Sequence, residues 1–134
     1  MLELAHYGKT DLQGRGDRPM IDNCIFCRIA AGQAPADILY QDDHVTAFWD
    51  NRPAAPLHIL VIPNRHIDSM EQVNPEDADI LGRMLICASQ LAAQYESAHR
   101  GYRLVVNVGP EGGQTVYHLH VHLIAGRRLP VFHG

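Results

Sequence analysis

His118-Leu119-His120-Val121-His122-Leu123-Ile124 alternates imidazole with aliphatic side chains. On an extended strand successive side chains point to opposite faces, so the three imidazoles would share one face while Leu119, Val121 and Leu123 enter the core. Each residue advances about 3.3 Å, which sets neighbouring imidazoles about 7 Å apart, close enough to share a substrate or a metal. A histidine-rich surface strand is the plain alternative. Clean aliphatic packing on one face and a glycine-rich loop just upstream argue against it.

Working outward, Gly109-Pro110-Glu111-Gly112-Gly113-Gln114-Thr115 is too rich in glycine for a helix and joins the histidine strand to a strand over Tyr102 to Val108. Upstream, Asn74 is placed to cap a helix, Pro75 suits its first position, and Glu76 and Asp77 complement its dipole. Leu81, Met84, Leu85, Ala88, Leu91, Ala92 and Tyr95 then keep a 3.6-residue rhythm, with Gly101 as the stop and His99 at the helix end. Three apolar runs, Ile38-Leu39-Tyr40, Val45 to Trp49 and Leu57 to Ile62, are separated by Gln41-Asp42-Asp43 and by Pro53 and Pro56, and read as successive strands. Ile25, Phe26 and Ile29 fall at helical spacing before Gly32 and predict a short helix. Residues 1–20, with scattered charges and Gly8, Gly14, Gly16 and Pro19, read as a flexible tail, leaving a single domain over 21–134. The order predicts an α+β fold: a mostly antiparallel sheet of about five strands with one long and one short helix.

The totals narrow the function. A chain of 134 residues is one domain's worth, and 46% apolar with 19% charged residues is ordinary globular usage without an apolar run long enough for a membrane span. A net charge of −4 and a single adjacent basic pair, Arg127–Arg128, argue against nucleic acid as a partner. Three cysteines make no disulfide framework and no secretory signal precedes them, so a reducing cytoplasm is expected.

The histidine pattern, with Ala47-Phe48-Trp49-Asp50, Leu60-Val61-Ile62-Pro63-Asn64-Arg65-His66, Val105-Val106-Asn107 and Gly112-Gly113-Gln114, closely resembles the histidine-triad family, and within it the nucleotide-binding purine nucleoside phosphoramidase branch. The likeness runs from about Cys24 to Arg127. It implies a hydrolase of nucleoside 5′-monophosphate derivatives, AMP-amines and other purine phosphoramidates, in which His120 attacks the α-phosphorus through a neutral ring nitrogen and is transiently nucleotidylated. His122, His58 and His118 complete the catalytic cluster. Asp50 would accept the ribose hydroxyls, and Asn107 would serve the phosphate and ribose region. The amides of Gly113, Gln114 and Thr115 would meet the phosphate oxygens, with the Thr115 hydroxyl on the leaving group. Ile25, Phe26, Phe48 and Leu60 would flank the base, though each also reads as plain core. The resemblance further implies a two-fold homodimer whose partner C-terminal segment approaches the substrate. The stretch from Arg127 to Gly134 lacks the tryptophan of the better-known members, and Asn51 replaces an apolar neighbour of the ribose acid.

Cys24-x-x-Cys27 is half of a tetrahedral zinc site. By the same resemblance His66 and His118 would supply the other half, making a structural zinc that leaves catalysis to the imidazoles without a cofactor. The alternative is a reduced cysteine pair with His118 bonded inside the sheet. Two other classes stand beside the hydrolase: a nucleotide-binding scaffold with incidental turnover, and a metalloprotein whose metal sits on His118, His120 and His122. A dinucleoside polyphosphate hydrolase differs from the first reading only in its leaving group.

Overall fold

The computed structural model describes residues 23–132, and the expected tail over 1–20 lies outside them. The chain runs α1 (Ile25–Ala30), β1 (Ile38–Gln41), β2 (Val45–Trp49), β3 (Leu57–Pro63), α2 (Ala78–Ala92), β4 (Tyr102–Val105) and β5 (Val121–Ala125). The five strands form one sheet in the order β1-β2-β3-β5-β4, with every neighbour antiparallel. This is the α+β architecture expected from the sequence.

The central strand β3 is buried at every position, which explains its unbroken apolar run. Its two faces serve different layers. Leu57, Ile59 and Val61 join Val121, Leu123 and Ala125 of β5 against Ile80, Met84, Ala88 and Leu91 of α2. On the other face Leu60 and Ile62 join Phe48 of β2 and pack under Phe26 and Ile29 of α1. Each such side chain, once fully buried, contributes about 1.5–3 kcal/mol. His58 pairs with Ile124 and Leu60 with His122, so His58 and His122 are diagonal neighbours on the α1 face.

Element boundaries depart from the sequence reading in several places. The triad segment is not one strand: β5 begins at Val121, and upstream Leu119 N–H donates to Ile67 C=O at 2.7 Å instead of joining the ladder. The alternation survives nonetheless, since Leu119, Val121 and Leu123 are all buried in the α2 core. β4 ends at Val105 and not Val108, because Asn107 Nδ2 donates to Gly112 C=O and turns the chain into the glycine loop. Gln41, read as part of a turn, closes β1 and is buried, its amide donating to Ala30 C=O at 2.8 Å and Thr46 Oγ1 at 2.7 Å.

The long helix is also shorter than its rhythm. Pro75–Asp77 form a 3₁₀ turn in which Asp77 accepts Asn74 N–H at 2.9 Å and pairs with Arg65, and α2 proper starts at Ala78. It stops at Ala92, where tighter bonds from Gln94 and Tyr95 take over. Tyr95 leaves the helix to pack edge-on against Trp49, ring centroids 5.7 Å apart, and His99 ends a separate 3₁₀ turn, Glu96–Ala98. No helix among the described residues is long and apolar enough to cross a membrane.

Candidate active site and metal centre

The sheet face under α1 carries the chemistry, and the hydrogen bonds around each ring assign its proton. His120 Nδ1 lies 2.7 Å from the carbonyl of His118, which can only accept, so Nδ1 donates and the lone pair is on Nε2. Ala54 N–H donates to His58 Nδ1 at 2.9 Å, which puts the His58 proton on Nε2. That N–H points at His122 Nδ1, 2.9 Å away, and the Asp50 carboxylate oxygen Oδ2 lies 3.4 Å from the same nitrogen. His122 therefore carries its own proton on Nε2. The rings of His120 and His122 stand 4.9 Å apart. A basic nitrogen on His120 and a donor on His122 are thus set side by side by backbone groups.

Burial keeps this cluster neutral. It lowers His120, which the bond to His118 C=O partly opposes. It lowers His122 to about 4, with the neighbouring His120 and His58 adding to the effect. His58 is lowered for the same reason, against the pull of the Asp50 carboxylate. An uncharged imidazole is what a nucleophile requires at neutral pH.

Asp50 lies at the end of β2, its Oδ1 accepting Arg52 N–H at 2.7 Å and its Oδ2 beside His58. The glycine loop is internally bonded: Gly113 N–H donates to Pro110 C=O and Gln114 N–H to Gly109 C=O. The Gln114 side chain is buried and joins three points of the surrounding loops, accepting Gly109 N–H and donating to Asp68 and Val116 carbonyls. Thr115 is exposed, and neither its amide nor its hydroxyl is bonded among the described residues. Asn107 braces Gly112 at 2.8 Å. Of the apolar set, Phe26 contacts His120 edge-on at 5.2 Å, Phe48 and Leu60 are core beneath it, and Ile25 is the one left exposed.

His118 points elsewhere. Its Nε2 donates to Pro63 C=O at 2.8 Å, and its Nδ1 lone pair faces Cys24 Sγ at 3.3 Å and Cys27 Sγ at 3.5 Å. His66 is arranged alike: Nε2–H to Asp68 at 2.5 Å, Nδ1 toward Cys27 Sγ at 3.3 Å. Burial depresses His118 to about 4, which favours the neutral, ligating form. Ligand atoms of a tetrahedral zinc with two sulfurs and two nitrogens sit about 3.5 Å apart, so Cys24, Cys27, His66 and His118 fit that ion, oriented by Asp68 and Pro63. With His118 turned to the cysteines, the three triad rings do not converge on one metal. Asp50, His58 and His122 also cluster, but the His58 proton occupies the nitrogen a metal would need.

Several participants carry no sequence signal. Ala54 acts through its backbone, and Asp68 matters only because the fold brings it to His66. Gln41, Thr46 and Asn64 form a buried hydrogen-bonded chain beneath α1, with Thr46 Oγ1 donating to Asn64 at 2.6 Å.

An antiparallel sheet bearing a lone-pair imidazole beside a donor imidazole defines a protein equipped for nucleophilic attack through histidine. The HIT domain model matches residues 31–129, and the chain belongs to that histidine-triad family. Purine nucleoside phosphoramidase of Escherichia coli K12 is 48% identical over 110 residues, covering 82% of this chain and 92% of the relative. The crystal structure of a HIT family hydrolase from Legionella pneumophila is 46% identical with a TM-score of 0.79, covering 81% of this chain and 96% of that one. A zinc-bound histidine triad protein from Mycobacterium smegmatis is 32% identical with a TM-score of 0.70, covering 79% and 76%.

Proposed function

We propose that the protein is a phosphoramidase-type hydrolase that cleaves purine nucleoside 5′-phosphoramidates through a nucleotidyl intermediate on His120. The observation that carries this is the 2.7 Å bond from His120 Nδ1 to His118 C=O, which commits the lone pair to Nε2. In this reading Nε2 forms the bond to phosphorus as the phosphorus–nitrogen bond breaks. The anionic substrate opposes the burial that keeps His58 and His122 neutral, so the pair takes up a proton on binding and the departing nitrogen leaves with it. Water then attacks phosphorus, returns a proton to the pair and frees His120. Asp50 holds the ribose hydroxyls. Asn107 and the Gly113–Thr115 stretch border the phosphate, where the unbonded Thr115 amide and hydroxyl are the available donors. Ile25 and Phe26 flank the base, with Phe48 and Leu60 behind them.

Zinc, held by Cys24, Cys27, His66 and His118, would supply structural cross-linking of α1 to the sheet and leave catalysis to the imidazoles. The zinc-bound relative supports this, and so do the proton positions on both histidines. We assign a homodimer, supported by the β4 edge, which no strand among the described residues covers, and by exposed Leu85, Ile86, Tyr102, Val131 and Phe132. A reducing cytoplasm suits the three unbridged cysteines.

The test is hydrolysis of adenosine 5′-phosphoramidate with an acid quench that traps labelled nucleotide on protein. His120→Asn should abolish both turnover and label; full activity in that variant overturns the mechanism. Diadenosine tetraphosphate in competition separates the phosphoramidase from the polyphosphate hydrolase. An unlabelled wild type that binds AMP without turnover would favour the scaffold.

A further inference from the structure

The loop between β2 and β3 is exposed from Asn51 to Ala54, yet it supplies the N–H that fixes the His58 proton. What steadies that loop comes from the far end of the chain. Arg127 Nη2 donates to Ala54 C=O at 3.0 Å, across 73 residues of sequence. The same residue, Ala54, therefore accepts from Arg127 and donates to His58, which in turn donates to His122 at 2.9 Å. Gly126 makes the approach feasible. Its φ is +104°, and a Cβ there would lie 2.7 Å from Pro56 Cβ, so the chain leaving β5 presses directly on this loop and delivers Arg127 to it.

We propose that Arg127 is a positioning residue for the hydrolysis: it holds Ala54 so that its N–H keeps His58 in the Nε2-protonated form, and through His58 orients the donor on His122. The inference rests on the phosphoramidase reading for its kinetic consequence, but not for its structural one. Arg127 touches no reacting atom. Without it Ala54 N–H is free to drift, His58 Nδ1 loses its donor, and the ring can adopt the other tautomer, which presents a lone pair to His122 Nδ1 where a hydrogen stood. Small displacements of a proton donor cost reaction rate and leave binding largely intact.

The experiment compares wild type with Arg127→Met, which keeps the apolar stem, Arg127→Lys, which keeps a donor, and Arg128→Met, an exposed neighbour. Nitrogen-15 spectra of histidine-labelled protein read the His58 tautomer directly. Kinetics use an adenosine phosphoramidate and the corresponding p-nitrophenyl ester, whose leaving group departs without a proton. Arg127→Met should shift the His58 resonances away from the Nε2-protonated pattern and lower kcat on the phosphoramidate about ten- to a hundredfold, with KM within twofold and a smaller loss on the ester. Arg127→Lys should recover part of both, and Arg128→Met should match wild type. An unchanged tautomer with unchanged kcat overturns the proposal, as does an equal loss on both substrates accompanied by a lower Tm. Should Arg127→Met not fold, Arg127→Gln, too short to reach Ala54, takes its place under the same criteria. A tautomer shift in a protein inactive on every phosphoramidate would leave the positioning role standing and refute the functional reading.

Discussion

His118, His120 and His122 are chemically identical side chains whose lone pairs are aimed differently by three different hydrogen bonds. Pro63 C=O turns the His118 lone pair to the cysteines, His118 C=O turns the His120 lone pair outward, and His58 fills His122 Nδ1. This has a pH consequence. His122 is held at about 4 in the fold, against 6.5 for an ordinary histidine. Between those values the unfolded chain binds a proton that the native ring refuses, so stability is full above about 6.5 and declines as pH falls toward 4. His122→Gln should make Tm flatter across that window, measured by thermal melts in low salt; an unaltered slope would show that His122 does not titrate differently on unfolding. Gly126→Ala, which places a Cβ at φ +104° and against Pro56, is expected to lower stability by about 1–3 kcal/mol in urea melts. A neutral substitution there would mean the loop yields freely.

At the scale of elements, α1 is only Ile25–Ala30, far too short to be stable by itself. Two devices hold it: Phe26 and Ile29 packed on Phe48, Leu60 and Ile62, and the cysteines converging on His66 and His118. Zinc binding only to the folded site should raise Tm, and Cys27→Ser should abolish that rise and the bound metal measured by mass spectrometry. Equal melting of wild type with zinc and with chelator would leave the reduced-pair reading. The glycine loop has its own tie in Gln114. Gln114→Ala removes bonds to Gly109, Asp68 and Val116 and should cost about 2–3 kcal/mol. Hydrogen exchange in residues 109–115 should rise with it; unchanged protection would relieve Gln114 of this role.

The whole molecule is a sheet with two unlike faces, α2 covering one and α1 with the imidazoles covering the other. Among the described residues β4 is an edge strand with no further strand beside it, and Leu85 and Ile86 of α2 and Tyr102 of β4 are exposed. Analytical ultracentrifugation should find a dimer, and Ile86→Glu should shift it to monomer through the cost of burying an unpaired charge. A wild type that sediments as a monomer at micromolar concentration removes the homodimer assignment.

The order of elements and the core face of the triad segment were legible in the chain because each rests on periodicity or on a dense local motif. Leu119, Val121 and Leu123 declare a core face whether or not the ladder starts at His118. Boundaries were less legible: Tyr95 fits the helical rhythm, but its ring gains more against Trp49, a residue distant in sequence. Site roles divide in the same way. That His120 and His122 would share a face was written in their spacing. Which nitrogen of each bears the proton depends on Ala54, Pro63 and the His118 carbonyl, backbone groups without residue identity that are aimed only by the fold. Local spacing is a property of the chain, whereas hydrogen-bond direction across 55 or 64 residues exists only after it has packed.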